Sequence, residues 1–219
     1  KKIDLGVGVY RNEKGETPIL ASVKKAEKMI LQEQETKTYL GSGGDPVFNE
    51  LMQGLIFGEK NASNERVVTL HTPGGSGALC VAAGLIMRAR RDVTLWVPDP
   101  TWANHVPLLG GAGLALKTYP YYEAESKTVR FDDMLQTLSA VAAGDLVLLH
   151  GCCHNPTGMD LDRKQWQQLS TLICERRLVP FVDSAYLGFA EGLEEDAWPV
   201  RLLFDAVPEM IVAASCSKN

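Results

Sequence analysis

The spacing of apolar residues changes period along the chain. A helical spacing runs roughly over 21–34, with Val23, Ala26 and Ile30 on one face. A second helix opens at Asp45, a candidate N-cap; Pro46 suits its first turn, Phe48, Leu51 and Leu55 form its stripe, and Gly58 ends it. From Arg66 onward, short apolar runs alternate with helical stretches. VVTL (67–70), VTLWV (93–97), LALKTY (114–119), LVLLH (146–150), LVPFVD (178–183) and MIVAAS (210–215) read as strands. Between them the pattern predicts a helix over 78–87, a short helix after Pro98, a helix opening near Asp132, and one burying Trp166, Leu169 and Ile173.

These strands are unbroken apolar runs, as suits strands covered on both faces. The β–α–β order therefore implies an α/β fold: a mostly parallel (mixed) sheet with helices on both faces. Pro180 lacks a ladder donor, so an edge position or a strand start is expected for it. Residues 1–17 are polar and turn-rich and read as a segment that packs elsewhere. The chain reaches Asn219 just after a strand, with no helix to cover that part of the sheet, so a longer protein is expected.

Composition excludes more than it selects. The 219 residues are 45% hydrophobic and 22% charged, with a formal net charge of −5. No long basic run favours nucleic acid or an anionic membrane as partner. The apolar runs are too short to span a bilayer, and the first residues do not read as a signal peptide. Five cysteines in no disulfide spacing suit reduced thiols in a cytoplasmic protein.

In open α/β sheets ligands gather at the carboxyl ends of the strands, so the polar residues there carry the chemistry. After VVTL comes Thr72-Pro73-Gly74-Gly75-Ser76-Gly77, opening a helix. This is a phosphate cradle or a plain tight turn; it is neither a Walker loop nor a full dinucleotide fingerprint. After VTLWV comes Trp102, a core residue or a flat stacking partner. Asn155 follows LVLLH. Asp183 ends its strand, either as a helix N-cap or as a carboxylate facing a protonated ring nitrogen, and Tyr186 follows. Ser215 and Ser217 flank Lys218, a surface lysine or an amine placed to form an imine. His150-Gly-Cys-Cys-His154 has the look of a metal cluster, but a strand end and turn would not converge four ligands, and histidines orienting another polar group are the simpler reading.

Taken together, YLGSGGDP, TPGGSGAL, DPTWANH, HGCCHNPTG, FVDSAYLGF with GLEEDA, and the terminal SCSKN resemble the aspartate/aromatic aminotransferases, class I enzymes of fold type I that depend on pyridoxal 5'-phosphate. The resemblance spans the chain in order. It implies that Lys218 forms the Schiff base with the cofactor and shuttles the proton. It implies that Asp183 keeps the pyridine nitrogen protonated, that Asn155 and Tyr186 hydrogen-bond the phenolic oxygen, and that Trp102 stacks on the ring. Gly75, Ser76, Ser215 and Ser217 would bind the phosphate, with His105 and His154 behind the ring and Asp183. Gly8, Trp102 and Asn155 would meet the substrate.

Tyr39 would reach the phosphate of the neighbouring subunit, which implies a homodimer. Residues 1–17 would belong to a small domain and 18–219 to the cofactor-binding large domain. The implied activity is ping-pong transfer of an amino group between an L-amino acid, aspartate or aromatic, and 2-oxoglutarate. Ser76 stands where many relatives have Thr, which keeps a hydroxyl. The family's phosphate-binding and substrate-carboxylate arginines lie beyond residue 219. Alternatives are a lyase or decarboxylase of the same fold type, a serine hydrolase built on Ser76, or an inactive fragment.

Overall fold

A computed structural model describes residues 8–218. Its centre is a five-stranded sheet in the order β2-β1-β5-β6-β7. The strands are β1 (Thr94–Asp99), β2 (Ala115–Pro120), β5 (Leu146–His150), β6 (Val179–Ser184) and β7 (Ile211–Ala214). Every pairing within it is parallel. A small antiparallel hairpin, β3 (Tyr122–Glu123) with β4 (Thr128–Val129), lies between β2 and α4 (Phe131–Ser139).

Side-chain alternation explains the apolar runs. Leu95, Val97, Leu148, Phe181 and Ala213 point to one face, against α3 (Gly74–Ala89). Trp96, Val147, Leu149, Val182 and Val212 point to the other, under α4 (Phe131–Ser139), α5 (Arg163–Arg176) and α6 (Leu193–Ala206). Both faces are covered, so a period-two strand shows no polar alternation. Phe181, Leu148 and Leu169 are wholly buried, each contributing about 2 kcal/mol by transfer from water.

Local chemistry sets the helix limits. In α2 (Pro46–Phe57) the Asp45 carboxylate accepts from the Phe48 amide, Pro46 occupies the first turn, and Gly58 closes the helix at φ +89°. A reciprocal capping box, Asp162 with Gln165, starts α5, whose buried face carries Trp166, Leu169 and Ile173 as the spacing predicts. The acidic first turn of α6, Glu194-Glu195-Asp196, complements the positive helix end. The apolar pattern gave no warning of α6, because Pro199 interrupts its periodicity.

Four expectations are corrected. VVTL forms no strand; it runs beside a groove of about 580 Å³ whose far wall is β7, and among the described residues it has no ladder partner. A strand exists only where its N–H and C=O groups find another. In α2 the buried residues are Gln53, Ile56 and Phe57, whereas Leu51 is 68% exposed, because contact with α6 comes from the opposite side of the helix. Helix α1 (Ala21–Glu33) forms where expected but has no buried residue, since Ala26 and Ile30 are exposed and Val23 is only half-buried. After β1, which runs on through Pro98, the short helix is a π-helical turn at Val106–Gly110. Pro180 sits at a strand start, as expected, but in an inner strand rather than at an edge.

Candidate active site

The chain reverses direction across the sheet between β1 and β5, and the site lies at the carboxyl ends of the strands there. A cavity of about 150 Å³ is bounded by residues from five separate segments. Gly75 and Ser76 come from the start of α3 and Trp102 from the loop after β1. Asn155 comes from the turn after β5, Asp183 and Tyr186 from the end of β6, and Ser215, Ser217 and Lys218 from the segment after β7. Nine sequence-predicted residues are thus brought to one place.

The α3 end of the cavity fits an anion. No side chain caps this helix, so its first amides lack the usual partner. Gly74 holds φ +69°, a left-handed conformation that favours glycine. A Cβ on Gly74 would stand 3.2 Å from Ser217 Oγ, and one on Gly75 would stand 3.3 Å from Ser215 Cβ. The backbone therefore runs close against Ser217 and Ser215, leaving little room for a side chain at either glycine. Ser215 Oγ and Ser217 Oγ are 2.8 Å apart, and the Ser217 amide donates to Ser215 Oγ at 3.1 Å. Together the bare helix end and paired hydroxyls can hold a phosphate.

Opposite this end, the Lys218 amine lies 4.1 Å from the centre of the Tyr186 ring. The Tyr186 carbonyl accepts from Cys152 Sγ at 3.4 Å and from the Phe189 amide at 3.0 Å. A Cβ on Gly8 would stand 3.5 Å from the Tyr186 hydroxyl, which brings Gly8 to the rim.

Behind Asp183 runs a chain of hydrogen bonds. Asp183 is 7% exposed and His105 fully buried, with Nε2 2.9 Å from Asp183 Oδ2. Thr101 Oγ1 lies 2.7 Å from His105 Nδ1 and 3.2 Å from His150 Nε2, and the Asn155 amide points at His150 Nδ1 at 3.4 Å. Burial, reinforced by His154 and His105, pushes the His150 pKa well below the ordinary histidine value, so its ring is neutral. One assignment then satisfies every link. Asn155 N–H donates to His150, His150 Nε2–H to Thr101, the Thr101 hydroxyl to His105 Nδ1, and His105 Nε2–H to the Asp183 carboxylate. The end of the chain is an Asp183 held as an oriented acceptor, not a helix N-cap.

His154 stands at the base of the same turn. Its ring stacks on Tyr121 at 3.9 Å and 15°, and Nδ1 lies 2.8 Å from Thr157 Oγ1. Its buried Nε2 has no hydrogen-bond partner, and burial foremost, with the neighbouring His105 ring adding to it, draws its pKa down to about 4. The rings of His150 and His154 face each other at 4.3 Å instead of converging on a common point. Among the described residues no group of three or more His, Cys, Asp or Glu could hold a metal ion.

Of the predicted residues, Gly8, Tyr39, His105 and His154 lie outside the cavity lining, and others were overlooked. Tyr39 is fully exposed and does not line the cavity of its own chain. His154 also lies outside the cavity lining, beneath the turn that bears Asn155. Sequence reasoning gave no role to Thr101, which joins two histidines; its place just beyond the end of β1 was the available signal. It also missed Asp160, whose carboxylate accepts from the Cys153 and His154 amides at 2.6 and 2.7 Å and shapes the turn that bears Asn155. No histidine is hydrogen-bonded to Ser76 among the described residues, so the geometry gives no support to a hydrolase.

A family model described as aminotransferase class I and II matches residues 1–219. The chain is 48% identical to an aspartate aminotransferase of Escherichia coli (strain K12) over 220 residues, covering 100% of the chain and 56% of that relative. It is 47% identical to an aromatic-amino-acid aminotransferase of Paracoccus denitrificans, covering 100% of the chain and 55% of the relative. Among solved structures, an aromatic-amino-acid aminotransferase from Burkholderia pseudomallei covalently bound to pyridoxal phosphate superposes with a TM-score of 0.93 at 41% identity. The match covers 98% of this chain and 54% of that one. The chain thus spans about half the length of the relatives it matches.

Proposed function

The chain belongs to the class I and II aminotransferase family, and on that premise we propose that the whole protein transfers an amino group between an L-amino acid, aspartate or aromatic, and 2-oxoglutarate. The observation that carries this reading is the convergence of Lys218, Asp183, Asn155, Tyr186 and the Gly75 turn on one cavity. Residues 1–17 belong with a small domain and 18–219 with the cofactor-binding large domain. Free thiols at all five cysteines support a cytoplasmic setting. The fully exposed Tyr39 and the uncovered α1 support a homodimer in which Tyr39 reaches the partner's site.

The residues fit pyridoxal 5'-phosphate. When bound, the cofactor supplies an electron sink for the carbanion formed at the substrate Cα. The α3 amides, Ser76, Ser215 and Ser217 hold the phosphate. Asp183, fixed by His105, keeps a proton on the ring nitrogen by charge pairing. Asn155 and Tyr186 would donate hydrogen bonds to the phenolic oxygen, and Trp102 would supply a flat apolar surface for the ring. The Lys218 amine would anchor the cofactor and would also be the group placed to take a proton from the substrate Cα, so one amine would serve as tether and base. Gly8, Trp102 and Asn155 border the substrate.

Purified full-length protein, loaded with pyridoxal phosphate and treated with borohydride, should retain the cofactor covalently, and Lys218→Ala should not. Equal retention by both proteins would refute the assignment. Amino transfer that requires 2-oxoglutarate separates the transaminase from a lyase or decarboxylase, which would release product without a keto acid.

A further inference from the structure

Asp196 is nearly fully buried, at 3% exposure, in the first turn of α6. It lies outside the cavity lining and has no cationic partner among the ion pairs of the described residues. A buried carboxylate without a counter-charge is costly unless donors surround it. Three do. Asp196 Oδ2 accepts from the Gly188 amide at 2.8 Å and the Ala190 amide at 3.1 Å, and Oδ1 accepts from the Glu191 amide at 3.0 Å. All three belong to the eight-residue stretch, 185–192, that joins β6 to α6 and bears Tyr186. The stretch has no regular secondary structure of its own.

Converging amides form a nest for an anion, and charge-assisted bonds of this kind are the strong class. Gly188 at φ +91° gives the chain the turn that aims these amides inward. From the other side, the Tyr186 carbonyl is held by Cys152 Sγ and by the Phe189 amide. The loop is therefore pinned at its base by β6, under Tyr186 by Cys152, and at its far end by Asp196.

We propose that Asp196 is a positioning residue for Tyr186: its carboxylate gathers the loop amides and so fixes where the phenol enters the cavity. The inference rests on the reading above, in which the Tyr186 hydroxyl donates to the cofactor's phenolic oxygen. Asparagine at 196 keeps the size but exchanges one acceptor oxygen for a donor that faces N–H groups. The loop then loosens, and the phenol donates less well.

The test uses full-length protein loaded with pyridoxal phosphate, in wild-type, Asp196→Asn, Tyr186→Phe and doubly substituted forms. The pH midpoint of the bound cofactor's visible absorbance should rise in Tyr186→Phe. In Asp196→Asn it should rise by roughly half a unit, a shift expected for partial loss of one hydrogen bond to a charged group. The double variant should show no further rise over Tyr186→Phe, because Asp196 acts through the phenol. A wild-type midpoint in Asp196→Asn, or fully additive shifts, would overturn the proposal. Amide exchange over 188–191, followed by mass spectrometry, should quicken at least tenfold in Asp196→Asn, and unchanged exchange would also overturn it. If Asp196→Asn fails to fold, Ala190→Pro deletes one donor, leaves the carboxylate in place and carries the same comparisons. Failure of the functional reading is separate: wild-type protein would then hold no cofactor after borohydride, while the exchange readout would still report the clamp.

Discussion

His105 Nε2 stands 2.9 Å from Asp183 Oδ2, with the histidine fully buried and the carboxylate nearly so. The pair joins the loop after β1 to the end of β6, across the intervening β5. Its orientation depends on what holds the far side of the His105 ring, which is Thr101.

Thr101→Val tests that dependence. Valine fills the space but removes the hydroxyl that satisfies both His105 Nδ1 and His150 Nε2. Buried polar groups left without partners cost about 1–3 kcal/mol each, so the variant should lose about 2 kcal/mol or more. Thr101→Ser, which keeps the oxygen, should stay within about 1 kcal/mol. Urea midpoints at constant m-value measure both. Equal midpoints for the valine and serine variants would show that the chain through Thr101 carries no weight.

Much of this architecture was legible in the residues. LVLLH gives β5 without adjustment, since a strand buried on both faces is written as an apolar run. The residues after each strand gave the site, because a parallel sheet brings all its carboxyl ends to one edge. VVTL was illegible for a physical reason: strand identity is set by a partner as well as by composition, and 66–72 faces a groove. The stripe of α2 misled because its contact face is chosen by α6, whose existence Pro199 concealed. Roles that arise only in three dimensions, such as Thr101 between two histidines and Asp196 among three amides, leave no periodicity to read.

Gly74→Ala bears on the phosphate cradle. Alanine at φ +69° carries left-handed strain of about 1 kcal/mol or more, and its Cβ would crowd Ser217 Oγ, which stands 3.2 Å away. Affinity of the cofactor-free protein for pyridoxal phosphate should fall tenfold or more, as read by fluorescence titration. Gly84→Ala, inside α3 with open space around it, should instead stabilise the fold by about 0.5–1 kcal/mol and leave affinity unchanged. Equal affinity in the two variants would remove Gly74 from the anion site.

Cys152 and Cys153 are neighbours with opposite chemistry. Cys152 is buried, and the adjoining Cys153 thiol together with burial pushes its own thiol far up. The same proximity draws the Cys153 thiol down, and Cys153 is partly open to solvent. Since the thiolate is the reacting species, iodoacetamide near pH 8 should label Cys153 at least ten times faster than Cys152, on the order expected from one unit of pKa. Peptide mapping by mass spectrometry reads the ratio, and preferential labelling of Cys152 would reverse the assignment.

His154 gives the fold a defined acid sensitivity. Its pKa is drawn from 6.5 to about 4, chiefly by burial, and its Nε2 has no partner to receive a proton's charge. Between those two values the unfolded chain binds a proton that the folded chain refuses, so acid favours unfolding. The stabilisation from a neutral His154 is complete above pH 6.5 and is lost as pH falls toward 4. Over that window the loss is on the order of 3 kcal/mol. His150, displaced the same way by burial, adds to the slope. Glu194, lowered by Arg201, acts only below its ordinary carboxylate range and so falls outside the upper part of the window. Urea unfolding at pH 7, 6 and 5 should show wild-type protein losing stability faster than His154→Asn, by close to one proton's worth of slope. Parallel curves for the two proteins would mean that the folded state protonates His154 as readily as the unfolded one, and that the stacked ring over Tyr121 is open to water.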